Sequence, residues 1–216
     1  MAREFEFYTE AGLVKYTGMR ADSLRSLLKG LETVSGSSIY YHLHHALFRW
    51  HFERGGHMND FSRWCWAQLR ENLLAEKLSS VNPLSYNSIR EARDALISHI
   101  RNHIGQLESL PRVPHGGEFH FIEMKSFIIP TGHRVSNLEN FCTAISEVGI
   151  NSLFYHLIES RVRMETRTND FSLWLREEMN EPELAAQIEQ LSPYVYNLYE
   201  IRTKLTDLIR RRVDAG

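Results

Sequence analysis

Ser38-Ile39-Tyr40-Tyr41-His42-Leu43 has a counterpart 114 positions later, Ser152-Leu153-Phe154-Tyr155-His156-Leu157. The echo extends in both directions. Thr17-Gly18-Met19-Arg20 returns as Thr131-Gly132-His133-Arg134, and Asn59-Asp60-Phe61-Ser62-Arg63-Trp64 returns as Asn169-Asp170-Phe171-Ser172-Leu173-Trp174. Three matches in the same order read as a tandem duplication: unit one over residues 1–104, a linker over 105–117 with Gly105, Pro111, Pro114, Gly116 and Gly117, and unit two over 118–216. Units of about 100 residues are large enough to bury a core of their own.

The spacing inside each unit predicts its elements. Glu4-Phe5-Glu6-Phe7 and Glu118-Phe119-His120-Phe121 alternate polar and apolar, the period of a half-buried strand. Leu13-Val14-Lys15-Tyr16 and Phe127-Ile128-Ile129 follow, so each unit is expected to open with a short hairpin ending at Gly18 or Gly132. Leu24, Leu27, Leu28 and Leu31 lie on one helical face behind an Asp22 or Ser23 cap, matched by Leu138, Phe141, Cys142 and Ile145 behind Ser136. The duplicated stretch starts the next helix, capped by Ser37 or Ser38 and by Asn151 or Ser152. It is apolar on two sides: Ile39, Leu43, Ala46, Leu47 and Trp50 form one stripe, and Tyr41, Phe48 and Phe52 form another, as in a helix held between layers. Asn59-Asp60 and Asn169-Asp170 cap a helix anchored by Phe61 with Trp64, or Phe171 with Trp174. A short helix begun at Pro182 in unit two, a turn at Pro83 or Pro193, and long helices over 88–104 and 197–213 complete the pattern. The expected fold class is mainly α with a small β component, each unit a short strand pair plus about four helices, related by an approximate internal twofold.

Composition excludes several partners. Lys plus Arg number 25 against 27 Asp plus Glu, and a net charge of −2 offers no field for phosphate backbones, so nucleic acid is not expected. No apolar run approaches a membrane span, and Met1-Ala2-Arg3-Glu4 lacks the apolar core of a signal peptide, which together predict no membrane partner and a cytoplasmic address. Cys65 and Cys142 stand at unmatched places and read as buried small hydrophobes.

Taken together, Ser38 to His42, Asn59 to Trp64 and their counterparts Ser152 to His156 and Asn169 to Trp174 resemble domain-of-unknown-function family 5752, in two tandem copies covering nearly the whole chain. The resemblance implies no activity, cofactor or catalytic residue.

One edge of the duplicated helix carries the chemistry that the sequence offers. His42 and His45 in unit one, and His156 and Glu159 in unit two, are i,i+3 pairs; convergence of the two helices would assemble three imidazoles and a carboxylate, a set suited to zinc or iron. The alternative is that His42 and His156 are semi-buried imidazoles bonded to a backbone group or an Asp. Arg20, Arg49, Arg134 and Arg163 are retained in both units and suit ion pairs or an anion. No phosphate loop, nucleophile elbow or paired-Cys pattern is present, and His42-Leu43-His44-His45 lacks the glutamate and spacing of a metalloprotease. The leading expectation is therefore a non-enzymatic module that binds a protein partner or itself; the rival is a metal-binding protein or metal-dependent enzyme with a site shared by the units.

Overall fold

A computed structural model describes residues 3–50, 57–163 and 168–215, the Trp50 side chain excepted. It is mainly helical with a two-stranded antiparallel sheet. The strands are β1 (Phe5–Ala21) and β2 (Phe119–Val135), 17 residues each. Between them lie α1 (Leu24–Thr33), α2 (Gly36–Leu43), α3 (His45–Trp50), α4 (Asp60–Ala67), α5 (Asn72–Ser79) and α6 (Ile89–Ile104). After β2 come α7 (Leu138–Glu147), α8 (Ile150–Phe154), a π-turn (Tyr155–Glu159), α9 (Ser160–Arg163), α10 (Asp170–Glu177), α11 (Pro182–Glu189) and α12 (Leu198–Ala215).

The expected hairpins are replaced by two unbroken strands that pair with each other. Thr17 Oγ1 donates to the Phe121 carbonyl at 2.8 Å and Thr131 Oγ1 to the Phe7 carbonyl at 2.9 Å, so position 17 meets 121 while 7 meets 131, in opposite directions. The physical reason lies in residues 8–12, Tyr-Thr-Glu-Ala-Gly, which hold no turn pair able to reverse the chain. Gly18 and Gly132 sit at φ +80° and +85°, a backbone only glycine adopts at no steric cost, but inside a strand and not at its end.

Packing divides the chain differently from its order. One compact unit is Gly12–Lys125, the central unit; the other joins Met1–Ala11 to Ser126–Gly216, the terminal unit. The chain-order boundaries expected at 104 and 118 thus differ from the packing boundaries because each strand supplies one part to each unit. Residues of the expected linker are packed in the central unit: the Val113 N–H donates to the Asp22 carbonyl at 2.9 Å, and Arg112 pairs with Asp22 at 2.8 Å.

Each unit is organised around a strand pair of phenylalanines. In the central unit Phe119 and Phe121 lie against His42, with Phe119 also meeting Phe61 and Trp64. In the terminal unit Phe5 and Phe7 lie against Phe141, His156 and Phe171. Burying one such ring contributes about 1.5–3 kcal/mol. The α1 face expected from Leu24, Leu27 and Leu31 is buried, as is the stripe of Ile39, Leu43, Ala46 and Leu47. The caps expected at Ser23, Asn59 and Asn169 are observed, whereas α2, α7 and α8 start behind Ser35, Asn137 and Gly149 in place of Ser37 or Ser38, Ser136, and Asn151 or Ser152. Ser23 and Ser26 form a capping box on α1, Ser35 caps α2, Asn137 caps α7, and Asn59 and Asn169 cap α4 and α10. Phe52 and the Gly55-Gly56 segment lie outside the described residues.

Gly30 of α1 lies close against β2: a Cβ there would stand 2.2 Å from the Phe121 ring. Gly30→Ala is expected to lose about 1–3 kcal/mol of stability by overpacking. Gly149, which has open space around its Cβ position, serves as the control, and Gly149→Ala should shift a urea midpoint far less.

Candidate functional site

The duplicated motif places one imidazole in each unit between a strand and a carboxylate. His42 of α2 is 3% exposed. Its Nε2 accepts the Ile122 backbone N–H of β2 at 2.9 Å, which puts the ring proton on Nδ1, directed at Asp60 Oδ2 at 2.8 Å. His156 repeats the arrangement, accepting the Tyr8 N–H of β1 at 2.8 Å and donating to Asp170 Oδ2 at 2.8 Å. Both imidazoles are therefore engaged on both nitrogens.

An arginine completes each set. Arg49 reaches Asp60 Oδ2 at 2.5 Å and lies over the Tyr41 ring at 4.6 Å; Arg163 reaches both oxygens of Asp170 at 2.7 and 2.8 Å and lies over Tyr155 at 4.7 Å. Burial pushes the His42 and His156 imidazoles below their ordinary range, against the pull of Asp60 and Asp170. Burial alone would raise Asp60 and Asp170, but their His and Arg partners hold both carboxyls below the ordinary range. The result is a neutral imidazole beside an ionised Asp–Arg pair. Asp60 and Asp170 take this role while the neighbouring Asn59 and Asn169 do the capping, each side-chain oxygen accepting from a backbone N–H at 2.9 Å.

The other residues singled out by sequence are distributed as follows. His42, His45, Arg20 and Arg49 belong to the central unit, and His156, Glu159, Arg134 and Arg163 to the terminal unit. A metal takes a ring-nitrogen lone pair, and in His42 and His156 that lone pair already receives a strand N–H. Among the described residues no group of three or more His, Cys, Asp or Glu is placed to hold a metal ion. His45 stacks on Tyr41, and burial pushes its imidazole down to about 4. Arg134 donates to Glu6 Oε1 through Nε and an Nη at 3.2 and 2.9 Å, whereas Arg20 acts at longer range on Glu118.

Three features were outside sequence reasoning. The strand N–H partners of His42 and His156 lie far away in the chain, so local spacing carries no trace of them. A cleft of about 600 Å³ in the terminal unit is lined by Glu6, Tyr8, Arg134, Tyr155, Arg163 and Trp174 among others. In the central unit the Tyr40 hydroxyl and His44 Nδ1 are buried with no hydrogen-bond partner, the two rings stacked at 5.5 Å. The sequence signal for this pair was present, since Phe154 and Ile158 stand at the positions that correspond in the recurring stretch 152–157 and just after it.

A model for the "Family of unknown function (DUF5752)" matches residues 2–210. The solved structure of OrfY from Thermoproteus tenax is similar, with a TM-score of 0.83 and 27% sequence identity, covering 97% of this chain and 95% of that one. No curated protein matches the chain.

Removing a carboxylate from either set strands a buried imidazole and an arginine, so Asp60→Ala and Asp170→Ala are each expected to cost about 3 kcal/mol in urea unfolding. His44 offers the opposite case. Burial pushes its imidazole down to about 3, so the folded state resists a proton that the unfolded chain accepts near 6.5. The stability it permits is complete above pH 6.5 and is lost progressively as pH falls toward 3. His44→Ile should remove that acid dependence and raise stability at pH 7 by about 1–2 kcal/mol, by removing an unpartnered buried nitrogen. Urea melts between pH 4 and 8 check both effects.

Proposed function

The chain belongs to the family of unknown function DUF5752, and from that premise we propose a non-enzymatic cytoplasmic helical module that works by associating with a second copy of itself. The carrying observation is apolar strand surface. Leu13, Val14 and Tyr16 of β1 are 61%, 45% and 69% exposed, and Ile128 and Ile129 of β2 are 52% and 46% exposed. In a two-stranded sheet each strand has one edge without a strand neighbour, and an exposed apolar edge is a template for pairing with another chain. A net charge of −2 places little repulsion between copies. Among the described residues no helix is long and apolar enough to cross a membrane.

The same reading takes the two units as descendants of one duplicated ancestor. Its support is the paired geometry of Tyr41, His42, Arg49 and Asp60 with Tyr155, His156, Arg163 and Asp170. On this view the motif is retained to hold a strand in place, and the strand's outer surface is what meets the partner.

Sedimentation velocity over micromolar to hundred-micromolar protein tests the proposal. Wild type should sediment above the 25.3 kDa chain mass, and Leu13→Lys with Tyr16→Lys, or Ile128→Lys, should return it to monomer with an unchanged circular-dichroism spectrum. A wild type that remains monomeric throughout, or an assembly indifferent to these substitutions, would sink the idea.

A further inference from the structure

Glu159 closes the π-turn of the terminal unit and is 8% exposed. Its Oε1 is buried and meets no N–H or O–H donor, and the same holds for Oε1 of Glu10 in β1. Glu10 acts on Glu159 by side-chain contact and by charge. Two ionised carboxylates side by side are both acceptors and repel, and a single proton shared by their oxygens satisfies both.

Arg163 on α9 acts on Glu159 directly, and Tyr155 of the π-turn, on which Glu10 acts, is also within reach of Tyr8 on β1, Arg163 and Asp170 on α10. Arg163 is the one cation of this set. It favours an ionised Glu159, but its guanidinium is already bound to both oxygens of Asp170 and lies over Tyr155. The proton is thus the local means of neutralising the pair. The central unit has no equivalent, because His45 and Met124 stand at the matching positions.

We propose that Glu10 and Glu159 form a single-proton latch that fastens β1 to the π-turn, closed while the proton is held and released when base removes it. This role is independent of self-association. In the π-turn a widened ring replaces the regular i to i+4 bonds, and because Glu159 closes it, release is expected to begin at residues 155–163. Burial first, then the Glu10 contact and charge, push the Glu159 carboxyl up to about 10. The folded state keeps a proton that the unfolded chain gives up above about 4.5. The stability contributed by the latch is therefore complete below that value and declines as pH rises toward 10.

Two measurements test the latch. Infrared spectra at pH 7 should show a protonated-carboxyl carbonyl band that Glu159→Gln abolishes. Hydrogen exchange at residues 155–163, corrected for intrinsic rates, should accelerate in wild type by up to about tenfold per pH unit between pH 6 and 9. In Glu159→Gln, whose amide can donate to Glu10 without titrating, the profile should be flat. Should that variant fail to fold, Glu10→Gln gives the same comparison. The proposal is overturned if no carbonyl band disappears, or if wild type and variant share one pH profile.

Discussion

A strand N–H directed at a buried imidazole is the contact on which each unit depends. Ile122 and Tyr8 have their N–H groups turned toward helices, and a buried donor without an acceptor costs about 1–3 kcal/mol. His42 and His156 supply the acceptor at Nε2, but only in the tautomer with the proton on Nδ1. Asp60 and Asp170 impose that tautomer, and Arg49 and Arg163 keep the carboxylates ionised. The chain of dependence runs from arginine to aspartate to imidazole to strand, and the phenylalanines on that strand then reach the core. Each link is needed because the next would otherwise be a buried group in the wrong protonation state.

The two units act as controls on one another. Where the Tyr–His–Arg–Asp set is common, the geometry agrees to about a tenth of an ångström at the imidazole, with Nδ1 to carboxylate distances of 2.8 Å in both units. Where the two units differ, buried polarity is placed differently. The central unit carries Tyr40 and His44 against Phe154 and Ile158, while the terminal unit carries Glu10 and Glu159 against Met124 and His45. These exchanges have opposite consequences with pH. A buried imidazole disfavours gaining a proton, so acid acts on the central unit; a buried carboxyl pair disfavours losing its last one, so base acts on the terminal unit.

Much of this fold was legible in residue order because helices are local. The α1 and α7 faces follow from i, i+3, i+4 and i+7 spacing, and the Asn59 and Asn169 caps follow from a side-chain oxygen two or three residues from the N–H it accepts. The sheet was misread for the complementary reason. Alternation of polar and apolar residues reveals a strand but is silent about its neighbour, and the neighbour of Thr17 is Phe121, not a residue across a tight turn. The site shared that fate in part. His42 and Asp60 were both singled out, but they stand 18 residues apart where His156 and Asp170 stand 14 apart, so no fixed spacing marks the pair. The Ile122 amide that fixes the tautomer is a backbone group with no sequence signature at all.

Non-local pairing also explains why chain order and packing disagree. Helices α1, α2, α4, α5 and α6 share one buried cluster with Phe119 and Phe121, and Phe5 and Phe7 lie against Phe141 of α7 and Phe171 of α10. Each helical set thus lies on the opposite side of the chain from the strand segment that fills its core. A cut near residue 104 would take from the central unit both phenylalanines and the Ile122 N–H that His42 awaits. It would leave Phe5 and Phe7 with no helices to cover them. Closing so long a loop costs only slowly more entropy as its length grows, so the arrangement is thermodynamically tolerable. Contacts of high sequence separation nevertheless slow folding, because the loop must close before the contact rewards it. The His–Asp–Arg set is local by comparison: its three side chains come from neighbouring elements of one unit, so the tautomer that accepts the strand N–H is set by groups other than the strand itself.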